Sequence, residues 1–173
     1  MDLRQVRERC ERQIRRLGFS GPLHVQTLVD ELVRQRGRPI HLLPMPEGPA
    51  NPSGLCISAE SAEYVFYESG STGIHREHII LHEIGHLAFG HSGAVNLAGV
   101  LAPSIDPEVA RTMLGRHDYS DEQEQEAEMF ATLIMARSGG RVTTSFAPDP
   151  EDVLEGLSRL REVLGFPARG EHG

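Results

Sequence analysis

The chain has no tryptophan and no lysine, only two cysteines in 173 residues, and aromatic side chains make up just 5% of it. Cys10 and Cys56 are only two and neither belongs to a Cys-x-x-Cys pair, so neither a disulfide framework nor a cysteine zinc site is indicated. All seventeen basic residues are arginine, and against 25 acidic ones they leave a net charge of −8, which offers no general attraction for nucleic acid. No run of eighteen apolar residues is present, so no membrane-spanning helix is expected. The opening Met1-Asp-Leu-Arg-Gln-Val-Arg lacks the apolar core of a signal peptide. A cytoplasmic protein with no membrane partner and no direct nucleic-acid contact is therefore the expectation. What remains is ordinary: 39% hydrophobic and 24% charged residues, in a length that suits a single domain over 1–173.

Histidine and glutamate are better supplied, and they cluster. Within 72–91 stands His82-Glu83-Ile84-Gly85-His86. On a helix of 3.6 residues per turn, side chains four apart share a face, so His82 and His86 are paired with Glu83 beside them. Two neutral imidazoles so held form a seat for zinc, and the adjacent carboxylate can deprotonate a water in the metal's open position. Ile79, Ile80, Ile84, Leu87 and Ala88 give the segment a helical apolar stripe, Ser71 or Thr72 can cap its start, and Gly90 can end it. The plainer alternative is a helix with two partly exposed histidines.

A catalytic zinc takes three protein ligands, so one must come from elsewhere. The best source is the run beginning at Ser120. Ser120 and Gln123 make a capping box, acidic residues crowd the first turn, and the pattern predicts a helix over Asp121–Arg137. On it Glu124, Ala127, Glu128, Ala131 and Ile134 share one face. Two carboxylates on a stripe of small and apolar residues call for a buried partner, and a metal with its histidines is one. Glu124 is thus the expected third ligand, and Glu128 the acceptor that orients a zinc-bound histidine. Asp121, Glu122 and Glu126 read instead as a solvated acidic helix start.

His78-Ile-Ile-Leu-His82-Glu83-Ile-Gly-His86-Leu followed by Glu124-Gln-Glu-Ala127-Glu128-Met-Phe130-Ala131 resembles the paired motifs of the ImmA/IrrE family of zinc metallopeptidases. The likeness covers about 24–137. It implies an α+β, zincin-like domain in which the first acid of the second motif is the third zinc ligand. It also implies limited proteolysis of a DNA-binding repressor, often of the helix-turn-helix kind. The stretch between Gly90 and Ser120 is longer than the pattern needs and reads as a lid over the cleft or as a surface excursion.

The remaining chain supplies the frame. Apolar spacing predicts helices over 2–17 and Val25–Arg36, forming an N-terminal unit over 1–37 ahead of a zincin core over 38–137. Strands are expected at 39–45, Gly54–Ser58 and Glu63–Glu68, in a small antiparallel sheet packed against the His-Glu helix. Gly54-Leu-Cys56-Ile-Ser58 is similar in outline to the cysteine motif of peptide deformylases. Gly85, however, stands where that family has aspartate, so Cys56 is expected to be a small core residue. His75, His78 and His91 lie near the metal helix, where capping or core roles suffice for each. A short helix is expected from Asp106-Pro107, a C-terminal helix within 138–165, and a disordered tail over 166–173. His117 and Tyr119 are candidate hydrogen-bond donors to a transition state.

These readings give a zinc peptidase with His82, His86 and Glu124 as ligands and Glu83 as base. The competing reading is a regulatory or toxin-antitoxin interaction module whose zinc is structural and which binds a repressor without cutting it.

Overall fold

Glu63–Glu68 carries Tyr64, Val65, Phe66 and Tyr67 in succession, all at most 2% exposed, and a strand buried on both faces belongs in the middle of a sheet. That is where it lies in the computed structural model, which describes 2–19, 24–45, 52–58, 62–71, 73–91, 119–138, Glu151 and Glu155. The described elements run α1 (Leu3–Arg16), α2 (Val25–Arg36), β1 (Ile40–Met45), β2 (Gly54–Ser58), β3 (Glu63–Glu68), α3 (Gly73–Phe89) and α4 (Asp121–Arg137). The architecture is α+β. One buried apolar cluster runs through all four helices and the sheet.

The sheet corrects one expectation. Its order is β1-β3-β2, with β2 antiparallel to β3 but β1 parallel to it, so it is mixed rather than antiparallel. The cause is the apolar run in β3: it takes the centre, and the chain reaches the far edge as β2 before returning between the other two. β1 is left at an edge, where Pro44, which has no N–H to give a ladder, does no harm.

The helix ends follow local chemistry. Ser120 caps α4 in a reciprocal box with Gln123, and Asp2 caps α1. The Ser71 hydroxyl donates to the Glu68 carbonyl, and Thr72, the other expected cap of α3, lies outside the described residues. Gly90 adopts φ +68°, and the N–H groups of Gly90 and His91 return to the carbonyls of Leu87 and His86. This closing turn needs a left-handed residue, which glycine supplies without strain. It also folds His91 back over the last turn of α3.

Helices α3 and α4 pack face to face at Gly85, where an added Cβ would stand 3.1 Å from Ala127 Cα and 3.3 Å from its carbonyl oxygen. Backbone cannot swing aside as a side chain can. Gly85→Ala is therefore expected to lower stability by about 1–3 kcal/mol, although alanine is the better helix former by roughly 1 kcal/mol. Denaturant unfolding showing a gain would contradict so close a crossing. Behind this pair, α1 lays Val6, Cys10 and Ile14 into the core beside α4.

Glu63, wholly buried, ion-pairs with Arg36 at 2.5 Å and Arg38 at 2.9 Å, and Arg36 also donates to the Leu87 carbonyl at the end of α3. This joins α2, the sheet and the His-Glu helix at one point. No described helix is long and apolar enough to cross a membrane. Of the expected C-terminal helix only Glu151 and Glu155 are described, both helical; the rest of it, the tail and the whole of 92–118 with its expected short helix lie outside the described residues.

Candidate metal centre

Two helices build the site. From α3, His82 and His86 project one turn apart toward α4, and their Nε2 atoms lie 3.1 Å from one another. From the first turns of α4, Glu124 brings Oε2 to 3.3 Å from His82 Nε2 and Oε1 to 3.8 Å from His86 Nε2. A tetrahedral ion with bonds of about 2.0–2.1 Å spaces its donors about 3.3 Å apart, so these separations suit one zinc. The three groups are also the one His, Cys, Asp and Glu cluster among the described residues whose donor atoms lie close enough together to hold an ion.

The acids of α4 divide in a way the helical pattern did not foresee. Glu124 and Glu128 stand at the rim, their side chains 46% and 56% exposed, while Ala127, Phe130, Ala131 and Ile134 face inward. Glu128 reaches His78 Nε2 at 3.2 Å and stands 3.5 Å from His82 Nδ1, the latter longer than a hydrogen bond. Glu126 is a correction: rather than forming part of a solvated helix start, it is buried, facing α1 and the end of α3. There His91 Nε2 lies 3.0 Å from its Oε2 and Arg9 Nη1 2.8 Å from its Oε1. Partners on two other elements make the burial tolerable, and nothing within α4's own sequence marks them.

His86 is almost fully buried, and its Nδ1 lies 3.0 Å from His91 Nδ1. Tyr119 stacks on the His86 ring at 3.7 Å and sets its hydroxyl 3.2 Å from Cys56 Sγ. Burial, then the neighbouring Cys56, raises the Tyr119 phenol, which stays protonated. Cys56 is buried as expected, its thiol pushed up to about 12 by burial and the charge of Glu83, but it also borders the site. Tyr119 thus sits in the site, as its candidacy required; His117 lies outside the described residues. His75 and His78 line the cleft, a space of about 330 Å³ with Pro52, Ser53 and Gly54 on its opposite wall. That is far more than the roughly 30 Å³ of one water.

Glu83 is 7% exposed. Burial, and after it the charge of Glu124, lifts its carboxyl from an ordinary 4.5 to about 8. A folded-state value above the unfolded one means the fold binds this proton more tightly. In metal-free protein the stabilising effect is complete below about pH 4.5 and is lost as pH rises through about 8. Metal-free Glu83→Gln is therefore expected to gain on wild type by a few kcal/mol between pH 5 and pH 9, since each tenfold difference in proton affinity is worth about 1.4 kcal/mol. Thermal melts in chelator at both pH values check this; a gap that does not change with pH would contradict it.

No protein-family model, curated protein or solved structure matches this chain.

Proposed function

We propose that the protein is a zinc-dependent peptidase of the ImmA/IrrE type with a zincin-like core, cutting a helix-turn-helix-type transcriptional repressor in a regulatory switch. The observation that carries the chemistry is the convergence of His82, His86 and Glu124 donors at spacings that one tetrahedral ion can span, with buried Glu83 alongside. The substrate class rests on the resemblance of the two motifs.

Zinc held by His82, His86 and Glu124 would supply a Lewis acid that polarises a peptide carbonyl and makes water acidic near neutral pH. Glu83 acts as general base: it accepts a proton from the attacking water and returns it to the departing amine. Its burial keeps bulk water from competing for that proton. Tyr119, whose ring stacks on His86 and whose protonated hydroxyl lies 3.2 Å from Cys56 Sγ, is the proposed donor to the oxygen that gains charge. Glu128, between His78 and His82, limits how far the outer ligand can turn. Among the described residues the donor cluster stops at three, as a site with an open position requires.

Glu124→Ala is expected to lower zinc occupancy to well under one per chain, because two imidazoles alone leave the ion half-held. Elemental analysis of the dialysed variant checks this, and full occupancy would remove Glu124 from the ligand set. For the activity, zinc-loaded protein mixed with a helix-turn-helix repressor encoded beside it should give one new pair of fragments by intact mass. Tight binding with no cut, while zinc is present, would favour a non-proteolytic interaction module.

A further inference from the structure

His91 and Glu126 lie behind the metal centre, outside the lining of the cleft. We infer that they form a buried relay which fixes the tautomer of His86, and that α1 is tied to the metal site through its contact with this relay. The inference rests on the metal-centre reading above and deepens it.

Donors and acceptors can be assigned one contact at a time, starting from the carboxylate. Glu126, 3% exposed, has the Arg9 guanidinium Nη1 2.8 Å from Oε1, an ion pair between α1 and α4. A carboxylate paired with a guanidinium accepts hydrogen bonds, so the 3.0 Å contact at Oε2 is donated by His91 Nε2–H. A neutral imidazole protonated at Nε2 has its lone pair at Nδ1. The 3.0 Å contact between His91 Nδ1 and His86 Nδ1 must then be donated by His86. That leaves the lone pair of His86 at Nε2, facing His82 Nε2 and the Glu124 carboxylate, where a metal ligand needs it. Each contact removes one of two tautomers, and the one left on His86 is metal-competent.

Local structure makes the relay reproducible. The left-handed Gly90 turns the chain so that His91 N–H bonds the His86 carbonyl, which sets the two rings side by side with centroids 5.2 Å apart. Cys10 Sγ approaches the Glu126 carbonyl at 3.4 Å, a second contact between α1 and the same turn of α4. The two histidine ligands are therefore unequally held. His86 is buried and backed by two further groups, whereas among the described residues His82 is backed by the half-exposed Glu128 at a longer distance. His91 and Glu126 are positioning residues.

The test uses the full chain loaded with zinc. Nitrogen-15 NMR of the imidazole rings in wild type should show His91 protonated at Nε2 and His86 protonated at Nδ1. Zinc affinity by chelator competition should fall about 10–100-fold in Glu126→Gln and in His91→Phe, with most of the loss recovered in Glu126→Asp. The cobalt-substituted Glu126→Gln protein should show a shifted visible spectrum, and Glu126→Asp a spectrum close to wild type. His91 protonated at Nδ1 in the wild type would overturn the relay, whether or not the variants fold. Unchanged affinity in well-folded Glu126→Gln and His91→Phe would do the same. A wild-type chain that takes up no zinc would instead overturn the metal-centre reading, and the relay's purpose with it.

Discussion

Glu83→Gln is expected to slow peptide cleavage by about 10²–10⁴-fold while zinc stays bound at one ion per chain. Glutamine keeps the size of the side chain but cannot take a proton from water or return it to an amine. The three donor groups are untouched by the change, since they belong to His82, His86 and Glu124. Among the described residues lining the cleft, the other two carboxylates are not placed to stand in: Glu124 is among the donors and Glu128 sits at the rim beside His78. Cleavage followed by mass spectrometry, with zinc measured on the same sample, separates the two properties. Full activity in zinc-replete Glu83→Gln would take the acid-base role away from this residue.

Gly54→Ala should cost nearly as much by a route that sequence alone does not suggest. An added Cβ at Gly54 would lie 2.6 Å from Glu83 Oε1, 2.8 Å from Ile79 Cγ2 and 2.9 Å from Glu83 Cγ. Real Cβ atoms do not come so close, so something has to move. The carboxyl end of Glu83 can swing away from β2, but Ile79 Cγ2 and Glu83 Cγ have to shift as well, so the proposed base is misplaced and the packing of β2 on α3 is loosened. Misplacement by about 1 Å can cost on the order of 10²-fold in rate. The expected result is therefore a hundredfold loss of cleavage with normal zinc content in the folded protein, together with a lowered melting temperature. Activity at the wild-type level would mean that Glu83 does not work from the place it occupies beside β2.

What could be read from the sequence was whatever local chemistry decides. Helices α2 and α4 and strands β2 and β3 have the expected bounds, since apolar periodicity, a Ser120 capping box and terminal glycines act over a few residues. The approach of Glu124 to His82 and His86 was legible because two motifs with ligand-type side chains sit on separate helix faces, although Glu124 lies half-exposed at the rim rather than buried. The parallel β1 was not, because strand direction depends on which strand wins the centre and not on alternation within β1. Glu126 was misread for a similar reason. An acid in the first turns of a helix looks solvated unless the partners that bury it are known, and here they are Arg9, far back in α1, and His91 beyond an adjoining helix end. Cys56 was read as a core residue and is buried, but its contact with Tyr119 joins elements that share no motif.

Anomalous diffraction at the zinc edge, on crystals of the zinc-loaded chain, tests the central claim most directly. The expected map has one strong peak about 2.0–2.2 Å from His82 Nε2, His86 Nε2 and a Glu124 oxygen, with no fourth protein ligand. A peak elsewhere, or one at the histidines with Glu124 turned to solvent and another side chain completing the coordination, would contradict it.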